Sequence, residues 1–304
     1  MKKLAYIAGA LMLLFPALAG AQALPYTAAE FDAVSLGAAG ANLTQTSSIA
    51  NASFSNAAAI PFAEDKFDVA AGYTMWQPSS VNTTMMTAGA AFNLNNKFGV
   101  ALGMMYGMNP AYDITDAGGA VKGQYKPTDM FFNAGLAWRF LPILSLGVNV
   151  GYASNSLAED HLDGALVADV FLMTKISDLK ATVGVANLGT GITSIGGQKF
   201  SLPSCASLGL GYEKTFAQKH GVDVSLDADY YFKGGVAAAF GAEYTFNDLA
   251  TVRAGYRYGG TTPVPSYASV GAGAKFLGIK LDLAYLIASG PAKNTLAVSL
   301  GYSF

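Results

Sequence analysis

The 304-residue chain has one cysteine, two histidines and few charges. A lone Cys205 cannot form an internal disulfide, so the sequence is not a stapled secreted scaffold, and no cysteine stands near the N-terminal apolar run to accept a lipid. Charged residues make up only 12% of the chain, against about 25% in a typical soluble domain. The formal net charge of −2 supplies no basic stripe for phosphates, which excludes a nucleic-acid partner. Beyond the first twenty residues no apolar stretch runs long enough, without Gly, Asn or charge, to cross a bilayer as a helix. Yet 52% of the residues are hydrophobic. That hydrophobicity needs a membrane, or an unusually large core, organised in some other way.

What is present begins with an export signal. Lys2 and Lys3 precede an apolar run from Leu4 to Leu18, and Ala19-Gly20-Ala21 or Ala21-Gln22-Ala23 then offers the small-x-small pattern of a cleavage site. Residues 1–23 are therefore expected to be a signal peptide. Residues 24–64 follow, rich in Ala, Ser and Asn and without alternation. From residue 65 to the end the period is two. Leu296, Val298, Leu300, Tyr302 and Phe304 alternate with Thr295, Ala297, Ser299, Gly301 and Ser303, giving an extended strand one large apolar face and one small polar face. Val222, Val224, Leu226, Ala228 and Tyr230 oppose Asp223, Ser225, Asp227 and Asp229 in the same way, and Arg253 and Arg257 oppose Val252, Ala254, Tyr256 and Tyr258.

About 14 such segments can be counted, each near the ~10 residues a tilted membrane strand needs. Lipid cannot satisfy the polar edge of an open sheet, so the segments must close. The predicted fold is all-β, a transmembrane antiparallel β-barrel of about 14 strands over 65–304 with 24–64 as an N-terminal plug segment. A soluble secreted β-sandwich is the competing architecture. Aromatics near the strand ends, among them Tyr73, Phe92, Trp138, Tyr152, Tyr258 and Phe276, fit the interfacial girdles of a membrane barrel better. Connection lengths agree, since long and short ones alternate; 214–221 is the exception, being long for a turn on the short side. The expected partner is outer-membrane lipid, and the expected location the bacterial outer membrane.

The charged lumen face should be a polar network of Asp223, Asp227, Asp229, Glu243, Arg253 and Arg257, with Glu243 and Arg253 able to pair across neighbouring strands. Mixed signs argue for a rigidified wall over an ion-selective ring. No enzyme is expected. His161 lies in a loop with Glu159, Asp160 and Asp163, near Ser154 and Ser156, and a flexible loop does not hold a catalytic triad. The same acidic cluster has no metal-ligand spacing, and no nucleotide fingerprint occurs, so neither metal nor cofactor is expected.

Four stretches resemble the PorV/PorQ family, whose fold is similar to the FadL fatty-acid transporter barrel: Ser35-Leu36-Gly37-Ala38-Ala39-Gly40-Ala41, Val185-Ala186-Asn187-Leu188-Gly189, Ala254-Gly255-Tyr256-Arg257-Tyr258-Gly259, and the Phe304 end. The resemblance covers the whole mature chain and implies a protein-interacting subunit or carrier in type IX-like secretion or envelope assembly, working with secretion machinery or exported proteins. A FadL-like channel for a hydrophobic small-molecule ligand, and a mainly structural barrel, remain as alternatives. The Asn-Pro-Ala element of FadL-type proteins reads Asn56-Ala57-Ala58 here, which weakens transfer of that mechanism. Under the docking role the partner surface would be the long loops 107–128 and 188–203, through Tyr112, Tyr125, Ile192, Ile195 and Phe200. The same residues would also permit an inward-folded lid.

Overall fold

A chain whose side chains alternate between large apolar and small polar can bury both sets only by separating two surroundings, and the strands do so. The computed structural model describes residues 22–77, 82–158, 161–193, 197–289 and 293–304. The export-signal expectation falls almost entirely on residues 1–21, outside the described residues. Strands β1 (Phe67–Trp76), β2 (Thr83–Leu94), β3 (Phe98–Met108), β6 (Thr128–Leu141), β7 (Leu144–Ala158), β8 (His161–Ile176) and β9 (Leu179–Gly189) form the first half of the wall. The second half is β12 (Cys205–Phe216), β13 (His220–Tyr231), β14 (Gly235–Phe246), β15 (Ala250–Tyr258), β16 (Tyr267–Phe276), β17 (Ile279–Ile287) and β18 (Leu296–Ser303). Neighbours in this order are antiparallel, and β18 pairs with β1 from Met75↔Leu296 to Asp68↔Ser303, closing a barrel of fourteen strands. Two hairpins stand outside the wall: β4 (Tyr112–Thr115) with β5 (Val121–Tyr125), and β10 (Ile192–Thr193) with β11 (Lys199–Phe200).

Inward and outward faces follow the expected register. Leu226 is 49% exposed while its neighbour Asp227 is 2% exposed. Leu296 and Leu300 likewise point out, and Ala297 and Ser299 are buried. The outward leucines, valines and aromatics form a continuous apolar belt that water would not tolerate, and lipid is the solvent that removes the penalty.

Turns on one side are tight. Asn95-Asn96 and Asn247-Asp248 both adopt left-handed φ, as two-residue hairpins of matching twist require. The long connection expected at 214–221 does not exist. Strand β12 runs on to Phe216 and β13 starts at His220, leaving three residues, with Ala217 at φ 47° and Gln218 at φ 59°. Neither residue type advertises a left-handed turn, which is why the sequence pattern stretched the gap.

Residues 24–63 contain a 3₁₀ turn at Pro25–Ala28, the short helix α1 (Ala33–Gly37) and a second 3₁₀ turn at Ala57–Phe62. Asp32 caps α1 by accepting from the backbone of Val34 at 2.9 Å and Ser35 at 3.0 Å. Helix α1 packs on β15 to β18, and the second 3₁₀ turn on β2, β3, β6, β7 and β8, so contacts of one segment reach opposite arcs of the wall. Small inward residues make this possible. A Cβ added at Gly255 would stand 2.7 Å from the Ala38 carbonyl carbon, and one at Gly99 would stand 2.7 Å from Ile60.

Candidate functional site

The inward face of β13 to β17 carries charges that a half-dry wall must pair. Arg253 donates through Nε to Glu243 at 2.5 Å and through Nη1 to Asp282 at 2.6 Å, so one guanidinium bridges carboxylates of β14 and β17. Arg257 lies 3.7 Å from Asp229. Asp223 is held by Lys180 of β9 at 2.5 Å, and the same ammonium reaches Glu213 at 2.9 Å. Asp227 has another role: its Oδ2 accepts the backbone N–H of Leu43 at 2.9 Å. Asp68 does likewise for Ile49 at 2.9 Å and Ala50 at 3.2 Å, while pairing with Lys280 at 2.5 Å. The wall's carboxylates thus hold the N-terminal segment as well as the arginines.

Lys180, Asp68 and Glu30 belong to this network and were missed from sequence. Lys180 could have been found, since it alternates with Leu179 and Ala181 as Lys280 does with Ile279 and Leu281. Glu30 had no period to reveal it. Its carboxylate accepts from Asn42 Nδ2 at 2.6 Å and opens on a central cavity of about 80 Å³ shared with Asp32, Asp227, Asp229 and Arg257. Burial pushes the Glu30 carboxyl up to about 8, although the Arg257 guanidinium pulls it the other way.

A second cavity, of about 310 Å³, lies at the end of the barrel that carries the long connections. Its floor is the N-terminal segment at Pro25 and Tyr26; its sides include Trp76, Met85, Asp129 and Val264. Tyr26 is fixed by donating to the Ser154 carbonyl at 2.8 Å.

The expected loop residues divide. Tyr112 and Tyr125 face each other across β4–β5 with ring centroids 5.9 Å apart. Their hydroxyls engage the outer extension of β7, Tyr112 through the Leu157 carbonyl at 2.6 Å and Tyr125 through Ser156. Ile192 and Phe200 pair across β10–β11, and Ile192 packs against the apolar cluster that includes Leu202 and Val264. Ile195 lies outside the described residues, as do Glu159 and Asp160. Ser154 and Ser156, weighed as nucleophiles near His161, both lie on β7, where the Ser156 hydroxyl is held by Tyr125 and the Ser154 backbone carbonyl accepts from Tyr26.

The four stretches behind the PorV/PorQ resemblance have packing explanations. Ser35 to Ala41 and Ala254 to Gly259 touch, through Ala38 against Gly255, and Gly37 lies against Gly271. Val185 to Gly189 forms a β-bulge opposite Ala168 and Val170, where Asn187 adopts φ 55° and its N–H is accepted by Asp169 at 2.7 Å. The Phe304 carbonyl accepts from Lys66 at 2.7 Å and Phe67 at 3.1 Å, sealing the junction of β18 with β1. Any barrel with a segment packed inside makes such demands, so these stretches do not single out one family.

No family model and no curated protein matches the sequence. Solved structures do match in fold. The Pseudomonas aeruginosa FadL homologue superposes with a TM-score of 0.58 at 13% identity, covering 90% of this chain and 98% of that one. The Ralstonia pickettii toluene transporter TbuX gives 0.57 at 10% identity, with coverages of 90% and 97%. The Acinetobacter baumannii outer membrane protein Omp33 gives 0.50 at 10% identity, with coverages of 79% and 98%. At these identities the likeness is one of fold. It lies with FadL-type transporters and lends no support to PorV/PorQ in particular. The chain is a bacterial outer-membrane β-barrel of fourteen antiparallel strands that resembles FadL-type transporters in architecture.

Proposed function

We propose that the protein is a non-enzymatic channel for hydrophobic or amphipathic small molecules, with residues 24–64 as a plug that obstructs straight passage. The observation that carries this reading is the external cavity, where apolar side chains of the wall meet a floor made by the N-terminal segment. A cavity of this size and mixed lining suits a small organic solute. The names of the structural neighbours support it, TbuX being a toluene transporter. The β10–β11 hairpin then acts as a cover, since Ile192 already turns toward the interior cluster. Docking of secretion machinery or exported proteins on the same loops has no comparable support.

The test uses vesicles containing the purified barrel. Toluene should equilibrate faster than in empty vesicles, and deletion of residues 24–64 should raise single-channel conductance while preserving a folded barrel. Toluene flux indistinguishable from empty vesicles would defeat the channel reading, and unchanged conductance would defeat the plug.

A further inference from the structure

The external cavity has an imbalance of charge. Its only ionisable lining residue of formal charge is Asp129, and no lysine, arginine or histidine lines it among the described residues. Asp129 makes no ion pair among those residues either. Its surroundings nevertheless orient it. Thr83 Oγ1 donates to Asn109 Oδ1 at 2.6 Å, which turns the Asn109 amide so that Nδ2 donates to Asp129 Oδ2 at 2.9 Å. One carboxylate oxygen is thereby fixed, and Oδ1 takes no hydrogen bond among the described residues. Asn155, the cross-strand partner of Asp129, also lines the cavity, and its buried side-chain oxygen has no hydrogen-bond partner among the described residues.

Trp76 and Met85, both inward-facing and buried, supply the apolar part of the same cavity. A carboxylate without a counter-cation, beside an indole and a thioether, complements a solute with an ammonium head and an apolar body. The ammonium gains a charge-assisted hydrogen bond, and the indole face attracts cations as well as hydrocarbon. A carboxylate-bearing solute of the same shape would meet like charge.

Resting on the channel reading, we propose that this cavity recognises small amphipathic ammonium compounds, with Asp129 as the charge-selecting residue and Trp76 as the apolar platform. The sequence holds two tryptophans, Trp76 and Trp138. Trp138 lies on the outer face, 49% exposed, away from the cavity. In the full-length Trp138→Phe barrel, Trp76 becomes the sole indole reporter.

Three probes of matched shape are titrated in detergent micelles at pH 7: 2-phenylethylammonium, neutral propylbenzene and anionic 3-phenylpropanoate. The ammonium should perturb Trp76 emission with at least tenfold higher affinity than propylbenzene, the anion should bind worst, and salt should weaken only the ammonium. Asp129→Asn should abolish the ranking and leave propylbenzene within about twofold. Equal affinities, or a preference for the anion, would overturn the proposal, and so would no response to the ammonium. Should Asp129→Asn fail to fold, the ranking and its salt dependence in the parent barrel still decide. Toluene flux in vesicles tests the channel reading separately: normal flux without ammonium preference removes only this site, while absent flux with the ranking intact removes only the channel.

Discussion

Arg253→Met is the most informative single change in the wall. Methionine keeps most of the unbranched stem, which supports Gly37 of α1; a Cβ placed at Gly37 would stand 3.4 Å from Arg253 Cδ. What disappears is the cation, and with it hydrogen bonds of 2.5 Å to Glu243 and 2.6 Å to Asp282. Those carboxylates, with side chains only 11% and 9% exposed, then face each other with no compensating charge. Removing one partner from a buried pair costs about 3–5 kcal/mol. The reference measurement is urea unfolding of the barrel in lipid vesicles, followed by tryptophan emission. The companion variant Arg253→Met with Glu243→Gln and Asp282→Asn removes the stranded charges and should recover more than half of the loss. A single variant within about 1 kcal/mol of the parent, or a triple variant no better than the single, would refute the claim that this cluster is held by compensating buried charge.

Leu226→Arg should cost about 2–4 kcal/mol if that side chain meets the bilayer near its midplane, and Ser225→Ala much less, by the same unfolding measurement; equal losses would contradict the assigned faces. Gly147→Val should loosen the N-terminal segment, because a Cβ there would overlap the Ala58 backbone nitrogen; faster limited proteolysis before residue 64, with the barrel intact, is the expected result. Docking of the segment should weaken as pH rises. Glu30, facing Asp32, Asp227, Asp229 and Arg257, is raised by burial to about 8 when docked and has its ordinary value of 4.5 when released. The docked state therefore holds the extra proton, and its advantage falls from about pH 4.5 upward and is lost by about pH 8. Conductance should rise across that window, and Glu30→Gln should flatten the rise.

The wall was legible because two immiscible surroundings impose a two-residue period on every strand, and that period places Asp223, Asp227, Asp229, Arg253 and Arg257 inward without any tertiary knowledge. Its limits were less so. Ala217 and Gln218 turn with left-handed φ because the flanking register of β12 and β13 forces them, a tertiary demand that outweighs local preference. Residues 24–63 have no period because they touch wall residues on several sides at once; Asn56 alone reaches the Leu43 carbonyl at 2.7 Å and Thr182 at 3.3 Å. The polar network was half visible for the same reason. Partners on strands could be read from alternation, whereas Glu30 and Asn42 come from the segment with none. The external cavity draws Pro25, Trp76, Asp129 and Val264 from four distant stretches, and no spacing in a linear sequence brings them together.

The seam between β18 and β1 has a consequence for how the molecule is made. The first strand of the wall finds its second neighbour only when β18 arrives, and helix α1 rests on β16, β17 and β18. The N-terminal segment thus depends on contacts with strands synthesised long after it. Long-range pairing of this kind carries a large loop-closure cost before it is rewarded. If the segment is the proposed plug, it is threaded against an open sheet before the seam closes, or enters through the mouth afterwards. Assembly order, rather than final stability alone, is then a property written into the connectivity, and variants that loosen the seam should be recognised first by their slow insertion.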